Sequence, residues 1–80
     1  KDRAVAIEQA ERLDIANAVL DLPIQLREVI ILYYYNELSV LEVSTLLVIS
    51  DNTVKTRLRR ARQLLKEQLS SDEWEVLAHE

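Results

Sequence analysis

Eighty residues carry 14 acidic and 10 basic side chains, a formal net charge of -4, with no cysteine, no glycine and one proline. That length allows one domain with one modest core, and the lack of cysteine excludes a disulfide frame, a thiolate nucleophile and cysteine-bound zinc. The longest apolar run, residues 29–35, falls far short of the ~20 residues that span a bilayer, so a soluble chain with no membrane partner is expected.

Hairpins depend on turn residues that this chain scarcely has. Helices joined by short turns remain, and the expected fold is an all-α domain, residues 1–80, of four to five helices. Val5, Ala6, Ile7, Ala10, Leu13, Ala16, Val19 and Leu20 recur at helical spacing and predict a first helix from about Asp2 to Leu20. Pro23 suits a first helical turn and predicts a second helix ending near Asn36, a residue that tolerates a left-handed cap. Within it, Val29-Ile30-Ile31-Leu32-Tyr33-Tyr34-Tyr35 has the local propensity of a strand. Nothing else in the chain reads as a pairing strand, so packing is expected to hold the run helical. Its three tyrosines cannot all face one core; they serve helix packing with wet phenols, or a protein-docking surface.

Ser39-Val40-Leu41-Glu42 has the spacing of a capping box, in which the serine hydroxyl and the glutamate carboxylate satisfy orphan amides. It predicts a short third helix from Val40 to about Leu47. Ser50 is the next N-cap, followed by Asp51, whose charge suits the positive end of a helix dipole. The fourth helix should run from there to about Leu69. Ser70 and Glu73 repeat the box spacing and predict a short fifth helix through Trp74 and Leu77, within an acidic tail of residues 70–80.

Two helices separated by a few residues, the second rich in positive charge, outline a helix-turn-helix over about residues 39–69. Val43, Leu47 and Ile49 would meet a stripe of Val54, Leu58, Ala61 and Leu65, and Ser44 is small enough to let the helices approach. The opposite face of the fourth helix then carries Asn52, Lys55, Thr56, Arg59 and Gln63, flanked by Arg57, Arg60, Arg62 and Lys66. An arbitrary basic run is usually just a solvated helix face. Here residues 51–69 hold six basic and two acidic side chains, net +4, while residues 1–50 and 70–80 are each net -4. Opposite charges are separated along the chain, as expected when one helix must meet polyphosphate.

The stretch "LPIQLREVIILYYYNELSVLEVSTLLVISDNTVKTRLRRARQLLKEQL" resembles region four of bacterial sigma factors, most closely the extracytoplasmic-function group. The resemblance covers about residues 13–69, and leucine-proline, the arginine before an aliphatic run, "ELS", "TVKTRL" and "RAR" fall at the family's spacings. It implies that the fourth helix enters the major groove of a promoter's minus-35 element, that the domain docks on the flap of core RNA polymerase, and that an anti-sigma factor is a further partner. It also implies a cytoplasmic setting and a region-two domain upstream, in keeping with a chain that starts at Lys1 and reads as a piece of a longer protein. Two positions depart from the pattern. Val48 stands where the turn often holds glycine or asparagine, so either the turn avoids a left-handed residue or Val48 is strained in it. Asn52 precedes Thr53 where glycine is common, presenting an amide side chain to DNA and implying a different promoter preference.

Within the implied complex, lysine and arginine can donate to guanine and asparagine can pair with adenine. Asn52, Lys55, Thr56 and Arg59 are therefore the candidate base readers, Thr56 through its methyl or hydroxyl. Arg57, Arg60, Arg62 and Lys66 are the candidate phosphate holders, which give affinity without sequence information. Asp72, Glu73 and Glu75 fit capping and dipole roles better than a metal site, and His79 stands alone. No nucleophile-base pair, phosphate-cradling loop or metal set is visible, so neither an enzyme nor a cofactor is expected. The alternatives are the DNA-binding output domain of a response regulator, which shares "TVK" but usually follows it with histidine, and a sigma-like interaction module without DNA binding.

The tail generates a testable expectation. Its four carboxylates, Asp72, Glu73, Glu75 and Glu80, equal the fourth helix's net positive charge and, within a Debye length of ~10 Å at 0.1 M salt, would oppose an approaching phosphate backbone. Truncation after Leu69 should raise DNA affinity at low salt, with the gain fading as salt rises. A fall in thermal stability with unchanged affinity per folded molecule would mean that Trp74 only completes the core.

Overall fold

The computed structural model describes residues 13–70, and every regular element within them is helical. A helix over residues 13–20 (α1) is followed by Ile24–Ile30 (α2), which passes directly into a π-helical turn, Ile31–Tyr35; Val40–Leu47 (α3) and Asp51–Gln68 (α4) complete the helix-turn-helix. The all-α expectation holds. The part of the predicted first helix before Leu13 and the predicted fifth helix lie outside the described residues.

Pro23 is the N-cap of α2, with φ -53° and ψ 145°. Its fixed ring torsion suits that place, and its carbonyl accepts the Leu26 and Arg27 N–H groups at 3.0 and 2.9 Å. Leu26, Val29 and Ile30 are the buried residues of α2. The strand-prone run is thus helical, but from Ile31 onward the turn is wider: the Asn36 N–H donates to the Ile31 carbonyl and the Leu38 N–H to the Leu32 carbonyl, both at 3.1 Å. A five-residue hydrogen-bonded turn spreads successive side chains over a smaller angle than an α-turn. Tyr33 and Tyr34 consequently both pack against the core while Tyr35 stays exposed. The wider turn also moves the chain reversal. Asn36, expected to take the left-handed conformation, stays right-handed with φ -95°, and Glu37 takes it instead with φ 57°.

The capping box before α3 is formed as its spacing implies. The Ser39 N–H donates to Glu42 Oε1 at 2.9 Å, and the Glu42 N–H donates to Ser39 Oγ at 3.1 Å. Ser44, buried at the contact with α4, returns its hydroxyl to the Leu41 carbonyl at 2.8 Å, which lets a polar side chain sit inside without an unpaired donor. The turn then passes through Val48, with φ 57° and ψ 49°, and closes with the Ile49 N–H on the Ser44 carbonyl at 3.0 Å. Of the two alternatives for this turn, the strained one is realised: a β-branched, 88% exposed residue occupies the left-handed region.

Ser50 caps α4 through its hydroxyl, which accepts the Thr53 N–H at 3.1 Å. Val54, Leu58, Ala61 and Leu65 form the buried stripe of α4, and they meet Leu26, Val29 and Ile30 of α2, Val43 of α3, and Ile15, Ala18, Val19 and Leu22 in one core. Leu47 and Ile49 pack against its edge rather than entering it. Each fully buried aliphatic side chain contributes about 1.5–3 kcal/mol, a large share for so small a domain.

Val48→Asn should raise stability by about 1 kcal/mol, because asparagine tolerates the left-handed region that costs valine about that much; the melting temperature should rise by roughly 4–8 °C. A second expectation concerns acid. The Ser39 backbone N–H first, and its hydroxyl second, hold the Glu42 carboxyl below its ordinary pKa. Such a group stabilises the fold above its unfolded-state pKa, and the contribution is lost as pH falls through the folded one. Glu42→Ala should therefore lower the melting temperature at pH 7, with the difference from the parent chain shrinking as pH falls below the glutamate range.

Candidate nucleic-acid interface

Burial of the stripe at positions 54, 58, 61 and 65 turns the rest of α4 outward. Asn52, Lys55, Thr56, Arg59 and Gln63 are exposed on the far side, so the five residues expected to share one face do share it. Arg60 and Lys66 are exposed, and Arg57 is half-buried at the edge. Among the described residues, no hydrogen bond, ring contact or ion pair engages Lys55, Arg57, Arg59, Arg60 or Lys66. Asp51 lies four residues before Lys55, a spacing at which opposite charges pair on helices, and still these two do not pair. Among the described residues, five cations therefore stand without a neutralising partner, a surface that attracts polyanions.

On one side of α4, Arg57 and Arg60 border an open hollow of about 450 Å³ whose other wall is Pro23, Ile24, Gln25 and Leu26 at the start of α2. The other side is different. Arg62, expected among the phosphate holders, is half-buried, and its Nε–H donates to the Tyr34 hydroxyl at 2.6 Å. Its guanidinium carbon lies 5.5 Å from the centroid of the Tyr34 ring and 5.9 Å from that of Tyr33. These partners are missed by sequence reasoning because they lie 28 and 29 residues upstream; the signal present was three adjacent tyrosines that could not all enter a core.

Over residues 12–65 the chain matches the family model described as Sigma-70, region 4. The chain belongs to that family. The match decides between sigma region 4 and a response-regulator output domain, and it makes this a DNA-binding domain of the transcription apparatus, consistent with the expected lack of catalysis. The chain is 41% identical over 69 residues to the ECF RNA polymerase sigma factor SigW of Bacillus subtilis (strain 168), an alignment covering 86% of this chain and 36% of that protein. This sigma region 4 thus spans about a third of the length of its curated relative. No solved structure matches it. Among the described residues, no helix is long and apolar enough to cross a membrane, and no three His, Asp or Glu side chains are grouped to hold a metal ion.

Proposed function

We propose that this region 4 reads the minus-35 element of a promoter by laying α4 in the major groove, as the C-terminal domain of a sigma factor that directs core RNA polymerase to initiation. The observation that carries this reading is the face of α4 opposite the buried stripe, where exposed cations with no neutralising partner among the described residues sit beside Asn52 and Thr56. Asn52, Lys55, Thr56 and Arg59 lie within the first three turns of the helix, the part that reaches base edges in helix-turn-helix complexes. Lys55 and Arg59 suit guanine, and Asn52 suits adenine. Arg57, Arg60 and Lys66, on the flanks and farther along, hold phosphates.

The functional unit is the whole of residues 1–80, with a helix-turn-helix over about 39–69 and an acidic tail over 70–80. Its protein partners are the flap of core RNA polymerase and an anti-sigma factor, in the bacterial cytoplasm where promoter and polymerase meet. Apolar side chains exposed on α1 and α3, among them Leu13, Leu20, Leu41 and Leu46, provide surface for such docking.

Replacing Lys55 or Arg59 with alanine should cost ~1–3 kcal/mol on the preferred promoter and relax the preference at one base pair, while Arg60→Ala should weaken all sequences alike and lower the salt slope by about one. Binding of each variant to a promoter duplex and to single-base-pair variants of it, across a salt series, measures both effects. Unchanged sequence preference in both Lys55→Ala and Arg59→Ala would remove the groove assignment.

A further inference from the structure

We infer that Arg62 is a positioning residue for the reading face of α4 and makes no phosphate contact of its own. The inference rests on the promoter-binding reading and assigns one cation of α4 a different task from the other five. Arg62 differs from them in its surroundings. It alone among the basic residues of α4 has a partner within the described residues, and that partner is Tyr34 on the π-helical turn.

The contact has three parts. The Nε–H donates to the Tyr34 hydroxyl at 2.6 Å, a hydrogen bond strengthened by the charge of the donor. The guanidinium also lies over the rings of both Tyr33 and Tyr34, and a half-desolvated cation gains more from an aromatic face than an exposed one does. The two rings meet edge to face, 5.1 Å apart at 80°, so each braces the other. The widened turn makes this possible by bringing two consecutive tyrosines to the same side.

The site of attachment gives the contact its consequence. Arg62 lies four residues after Leu58 and three before Leu65, at the margin of the buried stripe. The stripe itself, made of Val54, Leu58, Ala61 and Leu65, resists displacement of the helix from the core, but apolar burial is non-directional and restrains small rotations about the helix axis less well. An off-axis tether at the margin opposes that rotation. Side-chain tips lie ~6 Å from a helix axis, so a turn of ~10° sweeps them by about 1 Å, enough to spoil a hydrogen bond to a base edge. Binding to phosphates, which tolerates such a shift, should be indifferent to it. Loss of the tether should therefore lower discrimination and leave non-specific binding in place.

The test uses the 80-residue chain and a duplex it selects from a random pool. Tyr34→Phe keeps the ring and removes the acceptor; Arg62→Lys keeps the charge and removes the Nε donor; Arg62→Gln removes both. Each variant and the Tyr34→Phe, Arg62→Lys double variant are measured against the selected duplex and a shuffled one across a salt series, with affinities corrected for the folded fraction. Each single substitution should weaken the selected duplex about tenfold, leave the shuffled duplex and the salt slope unchanged, and be no worse in combination. Parent-like binding by Arg62→Lys, together with a salt slope reduced by ~0.9 in Arg62→Gln, would make Arg62 a phosphate contact and overturn the inference. Lower melting temperatures with every affinity unchanged would reduce it to packing. Failure of the parent chain to enrich any sequence would instead strike the promoter reading itself, before any variant is made.

Discussion

Burial of Val54, Leu58, Ala61 and Leu65 is the constraint on which the remainder of the domain depends. Once those four positions face α2 and α3, the 3.6-residue repeat sets which side of α4 every other residue occupies. Asn52, Lys55, Thr56 and Arg59 lie away from the core, Arg57 and Arg60 lie on the side that borders α2, and Arg62 lies at the margin of the stripe. One helix thereby serves as the centre of the core and as the outer, charged surface. A substitution in the stripe would act on both at once, because losing the apolar contact also frees the orientation of the cations.

The charge arrangement has an energetic side. Five basic residues of α4 have no neutralising partner among the described residues; like charges so placed repel one another, and such self-repulsion lowers the stability of the compact state. The effect is moderated by solvent, since these side chains are exposed or half-exposed, and by Asp51 in the first turn of α4, which favours the helix dipole. In a sigma region 4, this unrelieved repulsion is also a reserve that a phosphate backbone can release. In the proposed promoter complex, the same side chains that weaken the free domain would strengthen binding.

Much of this was legible in the sequence because it is encoded locally. Ser39 with Glu42, Ser50 before Asp51, and the apolar repeat at 54, 58, 61 and 65 each state their structure within a few residues, and each is formed as written. The face carrying Asn52, Lys55, Thr56 and Arg59 follows from the same repeat. The widened turn at Ile31–Tyr35 could not be read this way. Its residues favour extended backbone, its helicity comes from packing, and the choice between an α and a π turn rests on small differences among crowded side chains. Two consequences of that turn were hidden with it: the transfer of the left-handed residue from Asn36 to Glu37, and the pairing of Arg62 with Tyr34. Periodicity places Arg62 at the margin of the stripe. It does not say whether a long side chain at a margin reaches out to solvent or back to a partner 28 residues away.

Glu37 and Val48 place side chains where a Cβ is disfavoured, in a chain that has no glycine to offer. The clash belongs to the native state, but folding compares two states. A glycine at either position would relieve the clash and also enlarge the set of conformations open to the denatured chain, which amounts to roughly 0.4–1 kcal/mol of added entropy to be lost on folding. Glutamate and valine narrow that denatured ensemble before folding begins. Part of the cost of the two reversals is therefore cancelled in the unfolded state, and a chain wholly without glycine can make left-handed turns at a smaller net penalty than the folded structure alone suggests.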